Sequence, residues 1–512
     1  MSLIRDRRSS QADLARPGLS GPHDDAVTDA LRGLFGRDTT YLLVWALQLI
    51  VAAAATPVIT RVLGAPEFGR VAAANAVMQI LFILAGLGLR TAIQRWYVAD
   101  EGPAAAARLL ALTVVVSTLV TVVADLTGPV WSPYLGFDDY GGALRLAVFW
   151  AGISAVTNAS LALLRSQDRL LAFSTVSLIQ SVLAEAASLV LVMLVSRTAA
   201  TYVGGQLLMQ ITAAVLALAL APPKLLRRTD RTLVTAALRY ALPLVPAVLC
   251  TFVLATSDRL IVQSFLGETA VARYQIAYNV GAMPILLLGV LSNTWMPRIF
   301  ALGVPEERAG VLVASRDALN RLVVPVVIGL CLGVPLLLRI WAPPEYGPDT
   351  LLLVTTVVVV SAIPYTIGLS HTRTLLAEGR TVAIAVSNAV AAVANVGLNL
   401  ILVPRYGLVG AAAATLVAYV TLQAMQAVTA RAAISLPRSP VWLSAQLLGA
   451  AVGGLLAGAL PTTPTWLAVR IVLAAGCLAW FGWILFRLSR PRPGADGPST
   501  AALATGPPGG LT

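Results

Sequence analysis

Residues 62–95 read VLGAPEFGRVAAANAVMQILFILAGLGLRTAIQR, and residues 265–298 read FLGETAVARYQIAYNVGAMPILLLGVLSNTWMPR. At a constant offset of 203 residues the two stretches align without a gap and share nine of 34 positions. Leu63-Gly64 matches Leu266-Gly267, Arg70 matches Arg273, Gly86 matches Gly289 and Arg95 matches Arg298. Shared Ala, Leu and Val mean little in a chain this apolar, but the paired Gly and Arg positions are harder to obtain by chance. Each copy is a loop followed by a long uncharged apolar run, so the repeated unit is a piece of membrane protein. A duplicated membrane domain has two halves that can rock about a site between them.

Composition agrees with the repeat. Hydrophobic residues make up 58% of the chain and charged residues 12%, against about 25% charged in soluble domains. Uncharged runs near the roughly 20 residues needed to cross a bilayer recur throughout. Fourteen spans are expected, at about 40–60, 71–89, 109–131, 146–164, 170–196, 198–221, 240–266, 274–297, 322–338, 351–370, 381–403, 406–430, 441–460 and 471–486. The runs are continuous and rich in Leu, Ala and Val, which excludes the alternating strands of a β-barrel. The fold class is therefore an all-α polytopic membrane protein. Residues 39–236 and 237–432 are read as two pseudo-symmetric six-helix lobes, and residues 433–490 as two added helices. Residues 1–38 and 491–512 read as polar cytoplasmic tails.

With a cytoplasmic N-terminus, the inner side carries 27 of the 36 basic residues, including Lys224, Arg227 and Arg228 in the 222–239 loop. The positive-inside rule thus favours an even number of spans and both ends in the cytoplasm. The net charge of +12 needs only anionic lipid as partner and no nucleic acid. Cys250, Cys331 and Cys477 sit inside apolar runs at no metal-like spacing and read as packing residues. In the added spans, Gly449, Gly453, Gly454 and Gly458 form two overlapping small-xxx-small pairs suited to close helix contact. The external connections are short, the longest at about residues 132–145. That disfavours a membrane glycosyltransferase or polymerase, for which a large loop with catalytic acids is expected. No Walker or dinucleotide fingerprint is present.

Polar side chains within spans are costly and need a reason. Ser174, Ser177, Ser181, Glu185 and Ser188 follow at steps of 3, 4, 4 and 3, which predicts one helical face. Span eleven offers Asn388, Asn395 and Asn399; span eight Gln275, Asn279 and Asn293; span two Asn75 and Gln79; span six Gln206 and Gln210. Singly these are interhelical hydrogen bonders; as stripes recurring in both halves they predict a hydrated central cavity. Four ionisable residues fall within the predicted spans: Asp125, Glu185, Asp258 and Arg259. Glu185, near the middle of span five, and Asp258 are candidates for ion coupling. Asp258 and Arg259 are neighbours in sequence, so they are expected to face apart and to find other partners. Arg259, Arg95, Arg298, Asn395 and Asn279 are the candidate substrate-binding residues. Arg95 and Arg298 would stand at the inner mouth, Arg259 deeper.

Three patterns carry a family resemblance over about residues 38–435. The first is Arg61-Val62-Leu63-Gly64 followed by Phe68-Gly69. The second is Ser257-Asp258-Arg259-Leu260-Ile261-Val262, then Leu266-Gly267 and Trp295-Met296-Pro297-Arg298. The third is Val403-Pro404-Arg405-Tyr406-Gly407 with Gly410-Ala411-Ala412. In these the chain resembles the Wzx-type oligosaccharide flippases of the multidrug/oligosaccharidyl-lipid/polysaccharide (MOP) exporter superfamily. That superfamily also holds the lipid II flippases, with fourteen spans, and the multidrug exporters called MATE. The resemblance implies alternating-access transfer of a polyprenyl-pyrophosphate-linked glycan to the outer leaflet of the cell membrane. It implies no cofactor, coupling to a proton or sodium gradient or to membrane potential, and polymerase and glycosyltransferase partners. The alternative reading is a MATE-like drug/cation antiporter.

Overall fold

The computed structural model describes residues 39–98, 102–137, 139–227, 230–293, 295–296, 299, 302 and 304–489. The two expected tails and Arg298 lie outside them. The described chain is helical, in the order α1 Thr39–Gly86, α2 Leu89–Val98, α3 Gly102–Leu126, α4 Gly142–Ser166, α5 Leu170–Leu194, α6 Ala199–Leu220, α7 Arg231–Ala241, α8 Leu244–Leu266, α9 Glu268–Gly281, α10 Met283–Asn293, α11 Pro305–Trp341, α12 Leu352–Ala377, α13 Thr381–Ala433, α14 Val441–Ala459 and α15 Pro464–Ser489. By length and apolar composition eleven of these helices suffice to cross a membrane, or twelve when α9 and α10 count as one bent span. Two of the eleven are each a pair of helices joined end to end, α1 at Gly64 and α13 at Gly407.

The repeat reappears as backbone geometry. Gly64 has φ 75° and ψ 171°, and its counterpart Gly267 has φ 78° and ψ −178°. This region of φ/ψ space is open in practice to glycine alone, which explains why both copies keep Leu-Gly there. Pro66 then falls in the first turn of the resumed helix, where a missing N–H costs nothing. Past the glycines the copies diverge. The segment expected as one span at 274–297 is two helices bent by 43°, with Pro284 entering the first turn of α10. Its counterpart in α1 runs unbroken to Gly86.

Among the described residues, hydrogen bonds join the helices of residues 39–220 to those of residues 244–489, and five of them cluster together. Thr60 Oγ1 donates to the Trp341 carbonyl (3.0 Å), Arg61 Nη2 to the Ile340 carbonyl (2.8 Å) and Tyr346 Oη to the Thr60 carbonyl (3.1 Å). Gln263 Nε2 donates to the Gly136 carbonyl (3.2 Å), and Arg70 Nε to Glu268 Oε1 (2.6 Å). All five lie at the end of the bundle that holds Gly64 and Gly267. The C-terminal end of α15 is at the opposite end, beside the first half of α11, where Arg487 and Arg321 line one groove.

The two C-terminal helices pack on α11 and α12. Of their two small-residue pairs, Gly454 and Gly458 make the close approach. A Cβ at Gly454 would come within 3.1 Å of Cys331 Sγ, and one at Gly458 within 2.5 Å of Thr356 Oγ1. Gly449 and Gly453 face open space. Cys331 is buried in this contact, and all three cysteines are free thiols, as packing residues should be.

Candidate functional site

A cavity of about 860 Å³ opens between α1, α8–α10 and α11–α13. Its wall carries amide and hydroxyl groups from several helices: Gln79, Thr251, Asn279, Asn388 and Gln426. It also carries Tyr278, Tyr365 and Tyr419, of which Tyr365 and Tyr419 meet edge to face at 5.2 Å. Among the described lining residues one side chain is charged, and it is Arg259.

Arg259 is held rather than free. Its Nε donates to Gln275 Oε1 (3.0 Å), and Nη1 donates to Asp258 Oδ1 (2.8 Å) and to the Ala255 carbonyl. The guanidinium also lies over the Tyr278 ring, 4.0 Å from its centroid. Asp258, 1% exposed, also accepts hydrogen bonds from the Arg259 backbone N–H (3.0 Å) and from Tyr274 Oη (2.6 Å). The two neighbours were expected to face apart, and the structure corrects this. The Cα–Cβ bonds do diverge, but the arginine side chain is long enough to curl back across the helix and reach the carboxylate beside it. Asp258 is therefore covered, while the arginine presents to the cavity.

A second cavity of about 370 Å³ adjoins the first, with Thr56 and Asn279 in both walls. It holds Glu185, Ser181, Gln206, Asn75, Gln48 and Gln275. Tyr202 Oη donates to Glu185 Oε1 (2.8 Å) and Gln206 Nε2 to Oε2 (2.9 Å). Immediately before Glu185, residues 179–183 of α5 form a π-helical turn. Such turns insert an extra residue into the helix and collect at functional sites. This one divides the expected stripe of five. Ser181 and Glu185 reach the cavity, but Ser177 and Ser188 are buried in packing. Ser188 bonds the carbonyl of its own Ala184, and the close approach of Gly205 covers it.

The other expected residues divide in the same way. Asn279 and Asn388 line the large cavity, and Asn388 Nδ2 donates to Thr251 Oγ1 (3.2 Å). Asn395 does not line it. Asn395 is fully buried between α8 and α13, where Ser257 Oγ donates to its Oδ1 (3.3 Å) and Asn399 to the same oxygen (3.2 Å). Its burial makes it interhelical packing, which corrects the expectation. Arg95 lies at the end of α2, exposed, with its guanidinium 4.5 Å from the Tyr240 ring centre, and lines neither cavity. Asp125 is bound by Tyr140 Oη (2.8 Å) and Arg145 Nε (2.9 Å) and staples the 126–142 connection.

Two buried arginines escaped the sequence reading. Arg373 is 2% exposed and Arg470 fully buried. Both lie in helices that run past the apolar windows that located the spans. Arg373 follows Thr372, which lines the large cavity; its Nη2 meets Ser370 Oγ (3.2 Å) while Nε and Nη1 find no partner. The guanidinium stands 5.4 Å from the Trp295 ring centre.

A family profile described as "Polysaccharide biosynthesis protein" matches residues 58–341. No curated protein matches the sequence. Among solved structures, the lipid II flippase MurJ in an inward closed conformation is similar, with a TM-score of 0.66 at 12% identity. The match covers 87% of this chain and 98% of that one. An inward-facing multidrug resistance MATE family transporter of the MOP superfamily gives a TM-score of 0.61 at 15% identity, over 78% of this chain and 95% of that one. A MATE protein in its bent conformation gives 0.55 at 14% identity, over 84% and 99%. These likenesses show that the chain shares its fold with MurJ and with the MATE transporters.

Proposed function

Because the chain belongs to the polysaccharide biosynthesis protein family, we propose that it is a flippase for a polyprenyl-pyrophosphate-linked oligosaccharide. It carries the glycan from the inner to the outer leaflet of the cell membrane by alternating access and makes or breaks no covalent bond. The observation that carries this reading is what the large cavity exposes: among the described lining residues the one charged group is the guanidinium of Arg259. A volume of about 860 Å³ stands near the upper end of the roughly 300–1,000 Å³ typical of small-ligand sites. It suits a hydrated, anionic head, with the polyprenyl tail left in the bilayer. Asn279, Asn388 and Gln426 offer donors and acceptors to sugar hydroxyls, and the tyrosines offer faces to sugar rings. With Nε and Nη1 engaged, Arg259 Nη2 is the nitrogen assigned to the pyrophosphate, in a charge-assisted hydrogen bond. Arg373, behind Thr372, is a second cation for the same group.

The five inter-group hydrogen bonds support an inward-facing state. They close the Gly64/Gly267 end, which the distribution of basic residues places outside. In this reading α1 and α13 each cross twice and α9–α10 once, which gives fourteen crossings. The lobes are residues 39–236 and 237–432, both termini are cytoplasmic, and residues 433–490 are the addition. The external closure includes a three-residue ion cluster. Arg70 pairs with Glu67 Oε1 (2.6 Å) from its own helix and with Glu268 Oε1 (2.6 Å) from across the cavity. Opening outward must break the second pair. Glu185, in the adjoining polar cavity, is assigned to coupling with a cation gradient.

The drug/cation antiporter reading draws on Glu185 and on the shared fold. Against it, the acid nearest the large cavity, Asp258, is already neutralised by Arg259 and covered by Tyr274, so a lipophilic cation would find no available carboxylate there. The test is complementation in a strain lacking the protein. Arg259→Lys keeps the charge but loses the fork and is expected to retain partial activity. Asp258→Asn/Arg259→Gln, which removes both charges, is expected to abolish export of the glycan. Full complementation by that double variant would refute the assignment.

A further inference from the structure

The two C-terminal helices, which have no counterpart in the repeat, form with α11 a groove of about 380 Å³ away from both central cavities. Two arginines and three tryptophans enclose it: Arg321 of α11, Trp442 of α14, and Trp480, Trp483 and Arg487 of α15. Arg321 lies 5.3 Å from the ring centre of Trp442, and Arg487 lies 4.0 Å from that of Trp483. Neither arginine has an acidic partner among the described residues. The carboxylate one turn before Arg321, Asp317, is already engaged by Arg316 Nε (2.9 Å) and Ser439 Oγ (3.2 Å). Among the described residues no acid lines the groove, so none of them compensates the two positive charges that face it.

Depth identifies what can meet them. Arg321 precedes Trp341, the last residue of α11, by 20 positions. At about 1.5 Å per residue that is roughly 30 Å, the thickness of the hydrocarbon core. Arg487 stands in the last turn of α15, and Trp442 is the second residue of α14. All three therefore sit at one membrane interface, that of the C-terminal end. The three indoles are 36–49% exposed, and below them Ile484 gives the groove an apolar floor. Ordinary interfacial tryptophans are scattered around a bundle and enclose nothing. Here three of them, from two helices, wall a cavity with two cations at its rim.

We propose that this groove is a binding site for one anionic phospholipid of the adjacent leaflet. Its phosphate takes the Arg321 and Arg487 guanidiniums, and its glycerol and first methylenes lie against the indoles. Basic pockets between membrane helices at this depth have the chemistry to hold such headgroups. The site stands whether or not the cargo is a lipid-linked glycan, because it shares no lining residue with the transport cavity.

The test is native mass spectrometry of the full chain in detergent, titrated with dioleoyl phosphatidylglycerol or with dioleoyl phosphatidylcholine. The wild type is expected to retain one phosphatidylglycerol in preference to phosphatidylcholine. Arg321→Gln/Arg487→Gln should lose about 30-fold in that affinity, as two interfacial basic residues imply. A control pair at the opposite end, Arg61→Gln/Arg405→Gln, should leave the preference in place. Equal retention of the two lipids by the wild type would overturn the proposal, as would unchanged selectivity in the double variant. If that variant does not yield folded protein, Trp442→Phe/Trp483→Phe with both arginines intact must weaken retention instead. Inorganic pyrophosphate added to the wild type must fail to displace the lipid; displacement would show a site for a soluble anion.

Discussion

Gly69 is the residue through which the proposed external closure can be forced. It lies between Glu67 and Arg70, and a Cβ built on it would stand 1.9 Å from the Glu268 carbonyl oxygen and 2.6 Å from its carbonyl carbon. Ordinary contact begins at 3.4 Å, so Gly69→Ala requires α9 to retreat by about 1.5 Å. The obstacle is backbone, and no side-chain rotation relieves it. A retreat of that size stretches the 2.6 Å Arg70–Glu268 pair to roughly 4 Å, beyond hydrogen bonding. Overpacking of this kind costs about 1–3 kcal/mol, and the cost falls on the closed state alone. It should shift the equilibrium toward the outward-open state by about 5- to 150-fold. The assay is a distance measurement by double electron–electron resonance between spin labels at positions 197 and 349, in a background without cysteines. Gly69→Ala should add a longer-distance population absent from the wild type. Gly449→Ala, whose Cβ meets nothing within 4 Å, should not. An unchanged distance distribution in a folded Gly69→Ala protein would show that this contact does not hold the lobes together.

Arg259→Ala leaves Asp258 buried without its cation and should cost about 3–5 kcal/mol of stability; adding Asp258→Asn should restore thermal stability but not transport, which separates folding from binding. Gly64→Ala and Gly267→Ala each force a side chain into a glycine-only conformation and should each lower stability by about 1–3 kcal/mol, read as a lower melting temperature in detergent. Glu185→Gln should abolish the pH dependence of transport while the protein still inserts, and unchanged pH dependence would leave Glu185 as an interhelical hydrogen bonder. A single cysteine placed in the 222–227 segment should be protected from an impermeant maleimide in intact cells; external labelling would reverse the orientation.

The parts of this structure that were legible in the sequence are those written in local chemistry. The Leu-Gly pairs at 64 and 267 were legible because their backbone conformation tolerates no other residue, so a duplicated fold keeps glycine there. Arg259 and Asn279 were legible because a charge or an amide within an apolar run must be near water, and both line the cavity. What escaped depends on how helices continue and pack. The π turn at 179–183 rephases α5 between Ser177 and Glu185, and Ser188, one turn beyond Glu185, is covered by the close approach of Gly205. Asn395 and Asn388 lie seven residues apart on one face of α13, yet one meets α8 deep in the bundle and the other meets the cavity. Arg373 and Arg470 were missed because a hydropathy window ends where the charge begins, while the helices continue through both. The Asp258–Arg259 pair was excluded by a rule for facing positions that ignores the reach of an arginine side chain.

The central claim is that the large cavity carries an anionic glycolipid head, and reconstitution tests it most directly. The purified full chain in liposomes would be offered a polyprenyl-pyrophosphate oligosaccharide placed in one leaflet, and in parallel a lipophilic organic cation. Transfer of each to the far side would be followed with and without an imposed ion gradient. The account predicts translocation of the glycolipid, lost in the Asp258→Asn/Arg259→Gln protein, and no transport of the cation. Gradient-driven movement of the organic cation with no movement of the glycolipid would contradict it.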